Sequence, residues 1–153
     1  MKKFFSSILF VLFVAFTYAQ EIRQDDNGVF YGPDNQLYTG VHKEYHENGT
    51  LKMEMTIADG VIDGDVHLYF DNGKAHELRA YKKGEMHGRW LTWNKQGQKI
   101  AEAGYEQGQK HGKWYIWNEQ GVLLYDMTYT MGERSGTWKM YNEEGQMVME
   151  QDF

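Results

Sequence analysis

The stretch GKWYIWNEQG, residues 112–121, has close counterparts 24 residues to either side of it. GRWLTWNKQG occupies residues 88–97, and GTWKMYNEEG occupies residues 136–145. A fixed period of this length is typical of chains that stack one supersecondary unit several times. The period, rather than any single motif, therefore determines the fold.

Glycines mark the period along most of the chain. They fall into three series that step by 24 residues and together hold 14 of the 17 glycines. The series are Gly40, Gly64, Gly88, Gly112 and Gly136; Gly49, Gly73, Gly97, Gly121 and Gly145; and Gly60, Gly84, Gly108 and Gly132. Because all three keep one phase, we infer five successive units: 40–63, 64–87, 88–111, 112–135 and 136–153.

Aromatic and apolar residues follow the same period in three columns, counted from the leading glycine of each unit. Two residues after it stand His42, Val66, Trp90, Trp114 and Trp138. Five residues after it stand Tyr45, Tyr69, Trp93, Trp117 and Tyr141. Seventeen residues after it stand Ile57, Tyr81, Tyr105, Tyr129 and Phe153.

Within a unit, apolar and polar residues alternate instead of following a helical period. The run LLYDMTY, residues 123–129, shows this alternation, which is typical of a strand with one buried face. Asn48-Gly49 and its counterpart Asn72-Gly73 indicate tight hairpin turns, and Gly-x-x-x-Gly, as in residues 84–88, indicates a longer turn. We predict an all-β repeat protein in which five hairpin units form a meander of ten strands in an elongated, twisted antiparallel sheet.

The first 19 residues have the organisation of a secretory signal peptide. Two lysines begin it, residues 8–16 are apolar, and Thr17-Tyr18-Ala19 is a small-x-small cleavage site. We therefore expect cleavage near that site and export of a soluble chain to the periplasm or the cell exterior. Residues 20–39 break the period, and we predict that they form an irregular N-terminal cap.

The charge of the chain excludes several partners. Lys and Arg number 16 against 22 Asp and Glu, and removal of residues 1–19 takes away two lysines and no acid, which leaves 14 against 22, or −8. Such an acidic chain is not expected to bind nucleic acid or anionic membranes. Since the chain has no cysteine, disulfides, thiolate chemistry and a cysteine lipid anchor are excluded.

One motif runs through the units: Gly-x-Trp-x-x-[Trp/Tyr]-x-x-x-Gly, followed by an alternating strand and a Gly-x-x-His-Gly-like turn. This motif resembles the bacterial variant of the MORN repeat, and residues 37–49 resemble the start of exported bacterial proteins built from that variant. The resemblance implies an elongated sheet that binds other proteins, without catalytic residues. Some members of the bacterial family are labelled antitoxins of toxin–antitoxin pairs, which implies neutralisation of a partner protein.

Histidines and carboxylates do not indicate a catalytic or metal centre. One turn position holds a polar residue in every unit: Thr39, Asp63, His87, His111 and Ser135. A side chain that caps a turn explains this series better than metal ligation does, because ligands at zinc or calcium spacing are missing. Paired carboxylates such as Glu143 and Glu144 fall in turns, where solvated charge is expected. We expect no enzyme activity, metal or cofactor.

The aromatic columns supply the candidate binding surface: Trp90, Trp93, Trp114, Trp117, Trp138 and Tyr141. One interpretation is that these rings form the core of a single-layer sheet. The other is that one column faces solvent as a ladder that stacks sugars, holds quaternary ammonium groups or docks a protein. The columns two and five residues after the glycine differ in parity, so a regular strand places them on opposite faces.

Two function classes follow from these observations. The first is a non-enzymatic scaffold for protein–protein interaction, whose final strand, residues 146–153, has an edge suited to pairing with a partner or with a second copy in a homodimer. The second is a surface module that binds cell-wall glycan or choline-like groups through exposed rings.

Overall fold

A computed structural model describes residues 22–153. The predicted signal peptide, residues 1–19, lies outside the described residues. All regular secondary structure in the described part is β-strand. The strands are β1 (Arg23–Gln24), β2 (Phe30–Tyr31), β3 (Gly40–Tyr45), β4 (Leu51–Ala58), β5 (Val61–Tyr69), β6 (Ala75–Lys82), β7 (Glu85–Trp93), β8 (Lys99–Glu106), β9 (Gln109–Lys110), β10 (Gly112–Trp117), β11 (Leu123–Thr130), β12 (Glu133–Arg134), β13 (Thr137–Tyr141) and β14 (Met147–Asp152).

One long antiparallel sheet contains all of these strands except β1 and β2. Its path runs in chain order from β3 to β14, and the two-residue strands β9 and β12 extend the pairing of β8 and β11. Each strand thus pairs with its neighbours in sequence, so no crossover occurs along the path. The predicted meander of repeated hairpins in an all-β fold is confirmed.

The tight turns of the sheet lie elsewhere than the sequence predicts. Asp59 and Gly60 connect β4 to β5 with φ angles of 49° and 79°, the positive pair that a two-residue type I′ hairpin requires. The residues equivalent to Asp59 in the next three units also have a positive φ: they are Lys83, Gln107 and Met131. Gly-x-x-x-Gly is therefore not a long turn, because its first glycine ends the tight turn and the residues after it, as in β5, are already strand.

The Asn-Gly sequences instead belong to wider connections, which lie at the opposite ends of the strands from the tight turns. In the first, the N–H of Gly49 donates to the carbonyl of His46 at 2.9 Å, and the N–H of His46 donates to the carbonyl of Thr50 at 2.8 Å. Gly49 has a φ of 83°, as in a type I turn that ends in a glycine bulge. Asn48 stabilises this turn because its Oδ1 accepts the N–H of Thr50.

The N-terminal segment folds over one end of the sheet. β1 and β2 form a small hairpin, and the N–H of Phe30 donates to the carbonyl of Gly60 at 2.8 Å. Phe30 packs with Met55, Ile57 and Val66, of which Ile57 is only 1% exposed. These four are the buried hydrophobic residues of the described part. The best-shielded core therefore lies beneath the N-terminal hairpin, in the first two units.

The register divides the remaining side chains between two faces. Directly opposed residues in an antiparallel pair share a face, so the pairs Trp114 with Met127 and Tyr115 with Asp126 lie on opposite sides of the sheet. We call the side that carries Trp114 the ladder face and the side that carries Asp126 the ion-pair face. The N-terminal hairpin covers the ladder face only at the first two units, because Phe30 contacts Met55 and Val66 there.

Candidate functional site

Seven rings form a continuous ladder across the ladder face, six of them on strands β6 to β13 and the seventh on the residue that follows β14. They are Tyr81, Trp90, Tyr105, Trp114, Tyr129, Trp138 and Phe153. Successive ring centroids are 4.8 to 5.5 Å apart, and neighbouring planes are inclined by 46° to 60°. Tilted contacts at this distance suit the ring quadrupoles. The ladder joins two of the aromatic columns, since tryptophans from one alternate with tyrosines and a phenylalanine from the other.

Each tryptophan of the ladder is fixed by the same hydrogen bond. The indole Nε1–H of Trp114 donates to the carbonyl of Gly104 at 3.0 Å. Trp90 and Trp138 repeat the bond ten residues back along the chain, at 3.0 and 2.8 Å. An indole held at both its ring faces and its N–H has little rotational freedom left. The ladder is therefore a preorganised surface.

The rings are only partly covered. Every ladder residue from Tyr81 to Trp138 is half-buried, and Phe153 is 42% exposed. Burial nevertheless raises the pKa of the Tyr105 hydroxyl above its ordinary value, with a smaller contribution from Tyr81. Both interpretations of the aromatic residues thus describe part of the structure, because the ladder packs the sheet and presents ring edges to solvent.

Basic side chains lie over the ladder. Lys110 Nζ is 4.6 Å from the ring centroid of Trp114 and 4.8 Å from that of Tyr129. One repeat later, Arg134 Cζ is 4.8 Å from the centroid of Trp138 and 5.2 Å from that of Phe153. Contacts of this kind contribute roughly 0.5–1 kcal/mol at exposed positions. Each cation bridges two neighbouring rings of the ladder.

The other predicted rings do not join the ladder. Trp117 packs against Tyr115 at a centroid distance of 5.6 Å, and Lys99 Nζ lies 4.7 Å over it. Tyr115 is opposite Asp126, so Trp117 lies toward the ion-pair face. Trp93 and Tyr141 hold the equivalent position in their units and are half-buried. Of the six residues proposed for one surface, the structure brings together Trp90, Trp114 and Trp138 and separates the other three.

The ion-pair face carries cross-strand salt bridges in most units. The pairs are Lys43–Glu54 at 2.6 Å, Arg89–Glu102 at 2.8 Å, Lys113–Asp126 at 2.7 Å and Lys139–Glu150 at 3.9 Å. Hydrogen bonding from Lys99, together with the charges of Lys99 and Arg89, lowers the pKa of Glu102 in spite of desolvation. Four carboxylates of this face are thus paired with neighbouring cations.

The recurring polar turn position acts as a cap. Thr39 Oγ1 accepts the N–H of Asp59 at 2.9 Å, and Asp63 Oδ1 accepts the N–H of Lys83 at 3.3 Å. His111 Nδ1 faces the N–H of Met131 at 3.5 Å. Each donor is the first residue of a tight turn in the next unit, which is the capping role the sequence predicts. Within residues 22–153, no three His, Cys, Asp or Glu side chains converge as a metal site would require.

A cleft of about 390 Å³ lies where the N-terminal hairpin meets the ladder face. Phe30, Val66 and Tyr81 supply its apolar walls. The polar groups that line it have partners, since Arg79 binds Glu77 at 2.6 Å and Glu44 lies near both His42 and Lys52. The cleft thus forms the closed end of the ladder face.

The two edges of the sheet differ. At the first edge, the N–H of Tyr38 donates to the carbonyl of Phe30 at 2.9 Å, so the N-terminal hairpin covers part of that edge. At the other edge, β14 pairs only with β13, and Met147 and Val148 are 53% and 61% exposed. Within the described residues, the C-terminal edge therefore has no corresponding cover. No helix of the described part has the length and apolar character that crossing a membrane demands.

Comparison with known families supports the repeat assignment. The model described as MORN repeat variant matches residues 38–59, 110–130 and 134–153. Three segments match this family. Each begins two residues before a leading glycine and covers one wide hairpin; the first two end in or next to the following tight turn, and the third ends at residue 153. A search of curated proteins finds no match. The chain is thus a β-hairpin repeat protein of a kind associated with binding.

Sequence reasoning missed Lys110 and Arg134, two of the cations that lie over the ladder; the third, Arg79, lies over Trp90 and is paired with Glu77. Lys110 and Arg134 are 24 residues apart, and Met86 holds the same position in the preceding unit. That spacing is visible in the sequence, but the glycines at both ends of this polar segment predict a turn there. Its assignment to strands β9 and β12 is what places these side chains beside the rings.

Proposed function

We propose that the protein is a non-enzymatic scaffold that binds a partner protein on the uncovered part of the ladder face. The observation that supports this proposal most is the ladder itself. Seven contiguous rings, each partly exposed, form an apolar surface on one side of a single-layer sheet, and hydrogen bonds fix its three tryptophans. Aromatic side chains and arginine are enriched at protein interfaces, and rigid rings lose little entropy on binding.

Export is part of the proposal and rests on residues 1–19. The charged start, the apolar run and Thr17-Tyr18-Ala19 support cleavage after residue 19 and a periplasmic or extracellular location. The resemblance to exported bacterial repeat proteins points the same way. The resemblance also implies neutralisation of a partner, and we include it in the proposal as one form of such binding.

Pairing through β14 is a second mode of interaction within this proposal. An edge strand with free backbone groups is a template for another strand, and β14 contains neither proline nor lysine. Association of two copies there forms a homodimer. Deletion of residues 146–153 is expected to abolish self-association in sedimentation equilibrium, while circular dichroism checks that the remaining sheet is folded. Unchanged self-association after the deletion would refute pairing through this strand.

A glycan or choline-binding module is the alternative. Exposed rings support it in principle, but two features of the ladder make it less suitable. Neighbouring rings are inclined by 46° or more, so they do not form one flat platform for sugars. Lys110 and Arg134 already lie over ring faces, where a quaternary ammonium group would meet like charge.

The test is capture of the partner with matched baits. The full-length chain, tagged at its C-terminus through a flexible linker, is expressed in its source cells, and bound proteins are identified by mass spectrometry. We expect one stoichiometric protein that is lost with Trp114→Ala and kept with Trp117→Ala, which alters the opposite face. Recovery that is equal for both variants, or recovery of glycan alone, would contradict the proposal. Sequencing of the bait's N-terminus tests cleavage after Ala19.

A further inference from the structure

Charge on the two faces of the sheet is segregated in the last three units. Arg89 pairs with Glu102, Lys113 with Asp126, and both pairs lie on the ion-pair face. By contrast, no carboxylate oxygen of the described residues lies within 4.0 Å of the side-chain nitrogens of Lys110 or Arg134. In a chain with net charge −6, the ladder face thus carries uncompensated positive charge.

The nearest acidic residue in sequence does not neutralise this charge. Glu133 precedes Arg134, but it pairs with Thr130, whereas Arg134 pairs with Tyr129. Successive residues of a strand point to opposite faces, so Glu133 lies away from the ladder. Glu106 and Lys110 are separated in the same manner, because Glu106 pairs with Gln109 and Lys110 pairs with Tyr105.

The two cations have a defined spacing. Lys110 lies in β9 beside β8, and Arg134 lies in β12 beside β11. The path from β8 through β10 to β11 takes two strand steps of about 4.8 Å each. The two positive charges are therefore about 10 Å apart along the ladder, and the apolar rings of Tyr129 and Trp138 lie between them.

Resting on the proposed function, we propose that the ladder face binds an extended acidic segment of the partner protein, with a carboxylate at every third residue. A polyproline II segment has three residues per turn and rises about 3.1 Å per residue. Its residues i and i+3 thus project from one side about 9 Å apart, which matches the spacing of Lys110 and Arg134. The intervening residues contact the rings, as in other proline-rich segments that dock on aromatic grooves.

Two features fit this occupant better than a compact ligand. The ladder extends over seven strands, about 30 Å, which accommodates about nine residues of such a segment. Polyproline II segments have their backbone solvated and largely preformed, so little ordering entropy opposes binding. The N-terminal hairpin and Arg79, already paired with Glu77, define the end at which the segment stops.

The binding test uses two labelled peptides of identical composition and charge. One repeats Glu-Pro-Pro four times, and the other has the same four glutamates clustered at one end. Affinity is measured by fluorescence anisotropy at low and at physiological ionic strength. We expect the periodic peptide to bind at least fivefold more tightly than the clustered one. Equal affinity, or absence of saturable binding of the periodic peptide, would overturn the proposal.

Variants taken from the protein's own repeats test the two cations. Lys110→Met and Arg134→Met introduce the residue that Met86 already provides at this position, so the sheet is expected to stay folded. Each is expected to weaken binding of the periodic peptide three- to tenfold. Lys139→Met is the control, because it removes the same charge from the ion-pair face and should change affinity less than twofold. An equal effect of all three variants would show general charge attraction and refute the assignment.

Two further probes test whether the ladder face prefers a ligand other than an acidic peptide. Capture of the partner then distinguishes failure of this inference from failure of the proposed function. Uronate oligosaccharides and phosphatidylglycerol vesicles are titrated in the same assay, and a preference for either over the periodic peptide would overturn the acidic segment. A captured partner that is lost with Trp114→Ala but kept with Lys110→Met and Arg134→Met would leave the scaffold standing and refute this inference. Failure of both capture and peptide binding would refute both.

Discussion

Truncation of Trp114 tests whether the ladder holds the sheet together. In Trp114→Ala the chain loses ring contacts with Tyr105 and Tyr129 at 5.2 and 5.3 Å, which contribute roughly 0.5–1.5 kcal/mol each. It also loses the contact with Lys110, roughly 0.5–1 kcal/mol, and the indole hydrogen bond to Gly104, about 1 kcal/mol. The expected loss in the free energy of unfolding is therefore about 2.5–5 kcal/mol, similar to the range for truncation of a large aromatic core residue.

Removal of the indole leaves no carbonyl without a hydrogen-bond donor, so no further loss is expected from this source. The carbonyl of Gly104 also accepts the N–H of His111 at 2.9 Å, so it keeps a partner when the indole is removed. Trp114→Phe retains a ring in the ladder but has no donor, and we expect it to cost about 1–2 kcal/mol. The loss should thus increase from Phe to Ala in proportion to the contacts removed.

Trp117→Ala is the matched control on the opposite face. Among the described residues, Trp117 has one ring neighbour, Tyr115, and one cation, Lys99. We expect it to cost about half as much as Trp114→Ala. Urea unfolding followed by far-ultraviolet circular dichroism measures both, because the midpoint and slope of the transition report loss of the whole sheet. Equal losses for the two variants, or a loss below about 1 kcal/mol for Trp114→Ala, would refute the ladder as the main stabilising feature.

Three further predictions concern turns, close backbone contact and charge. Gly104→Ala would place a Cβ against the carbonyl oxygen of His111 and should lower the free energy of unfolding by more than about 2 kcal/mol. Gly121→Ala meets open space at a φ of 82° and should lower it by about 1 kcal/mol. Similar unfolding midpoints for the two variants would contradict this prediction. Met131 has a φ of 48° in a type I′ turn, so Met131→Asn should raise the free energy of unfolding by about 0.5–1 kcal/mol, and a lower thermal midpoint would count against the turn assignment. The pKa of Glu102 is lowered from 4.5, so its ion pairs stabilise the folded state above pH 4.5 and lose this effect as the pH falls through the folded pKa. Glu102→Gln should therefore reduce the difference in unfolding free energy between neutral and acid pH by up to about 1 kcal/mol. An unchanged difference would exclude this role of Glu102.

The repeat was readable from the sequence because spacing alone carries it. Glycines and aromatic residues at a fixed interval determine strand number, order and antiparallel pairing, since a hairpin is the one unit that returns the chain every 24 residues with alternating side chains. The small hairpin of β1 and β2 can be read in the same way, because Asn27-Gly28 lies between two short strand-like runs.

The types of the turns could not be predicted from the spacing of the glycines and aromatic residues. Asn48-Gly49 has the preferred composition of a type I′ turn, but the longer connection from Tyr45 to Leu51 leaves only Gly49 with positive φ. Lys83 and Met131 adopt the left-handed conformation without favourable chemistry, because the register of the flanking strands imposes it. Local preference was overruled by pairing, as is common in sheets.

Strand alternation assigns the six candidate residues to two opposite faces, three to each. The alternation rule separates Trp114 from Trp117 correctly, although a register shift falls between Ile116 and Trp117. What parity could not supply was the partner of each tryptophan in the ladder, since Tyr105 and Tyr129 come from neighbouring strands. The positions of Lys110 and Arg134 over the rings required the same long-range register.

The most direct test of the account is a hydroxyl-radical footprint of the protein with and without its captured partner. Oxidation is quantified by mass spectrometry at Trp114 and Trp138 on the ladder face and at Trp117 toward the other face. We predict protection of Trp114 and Trp138 in the complex, with oxidation of Trp117 unchanged. Protection of Trp117 with Trp114 and Trp138 left accessible would contradict the claim that the ring ladder is the binding surface.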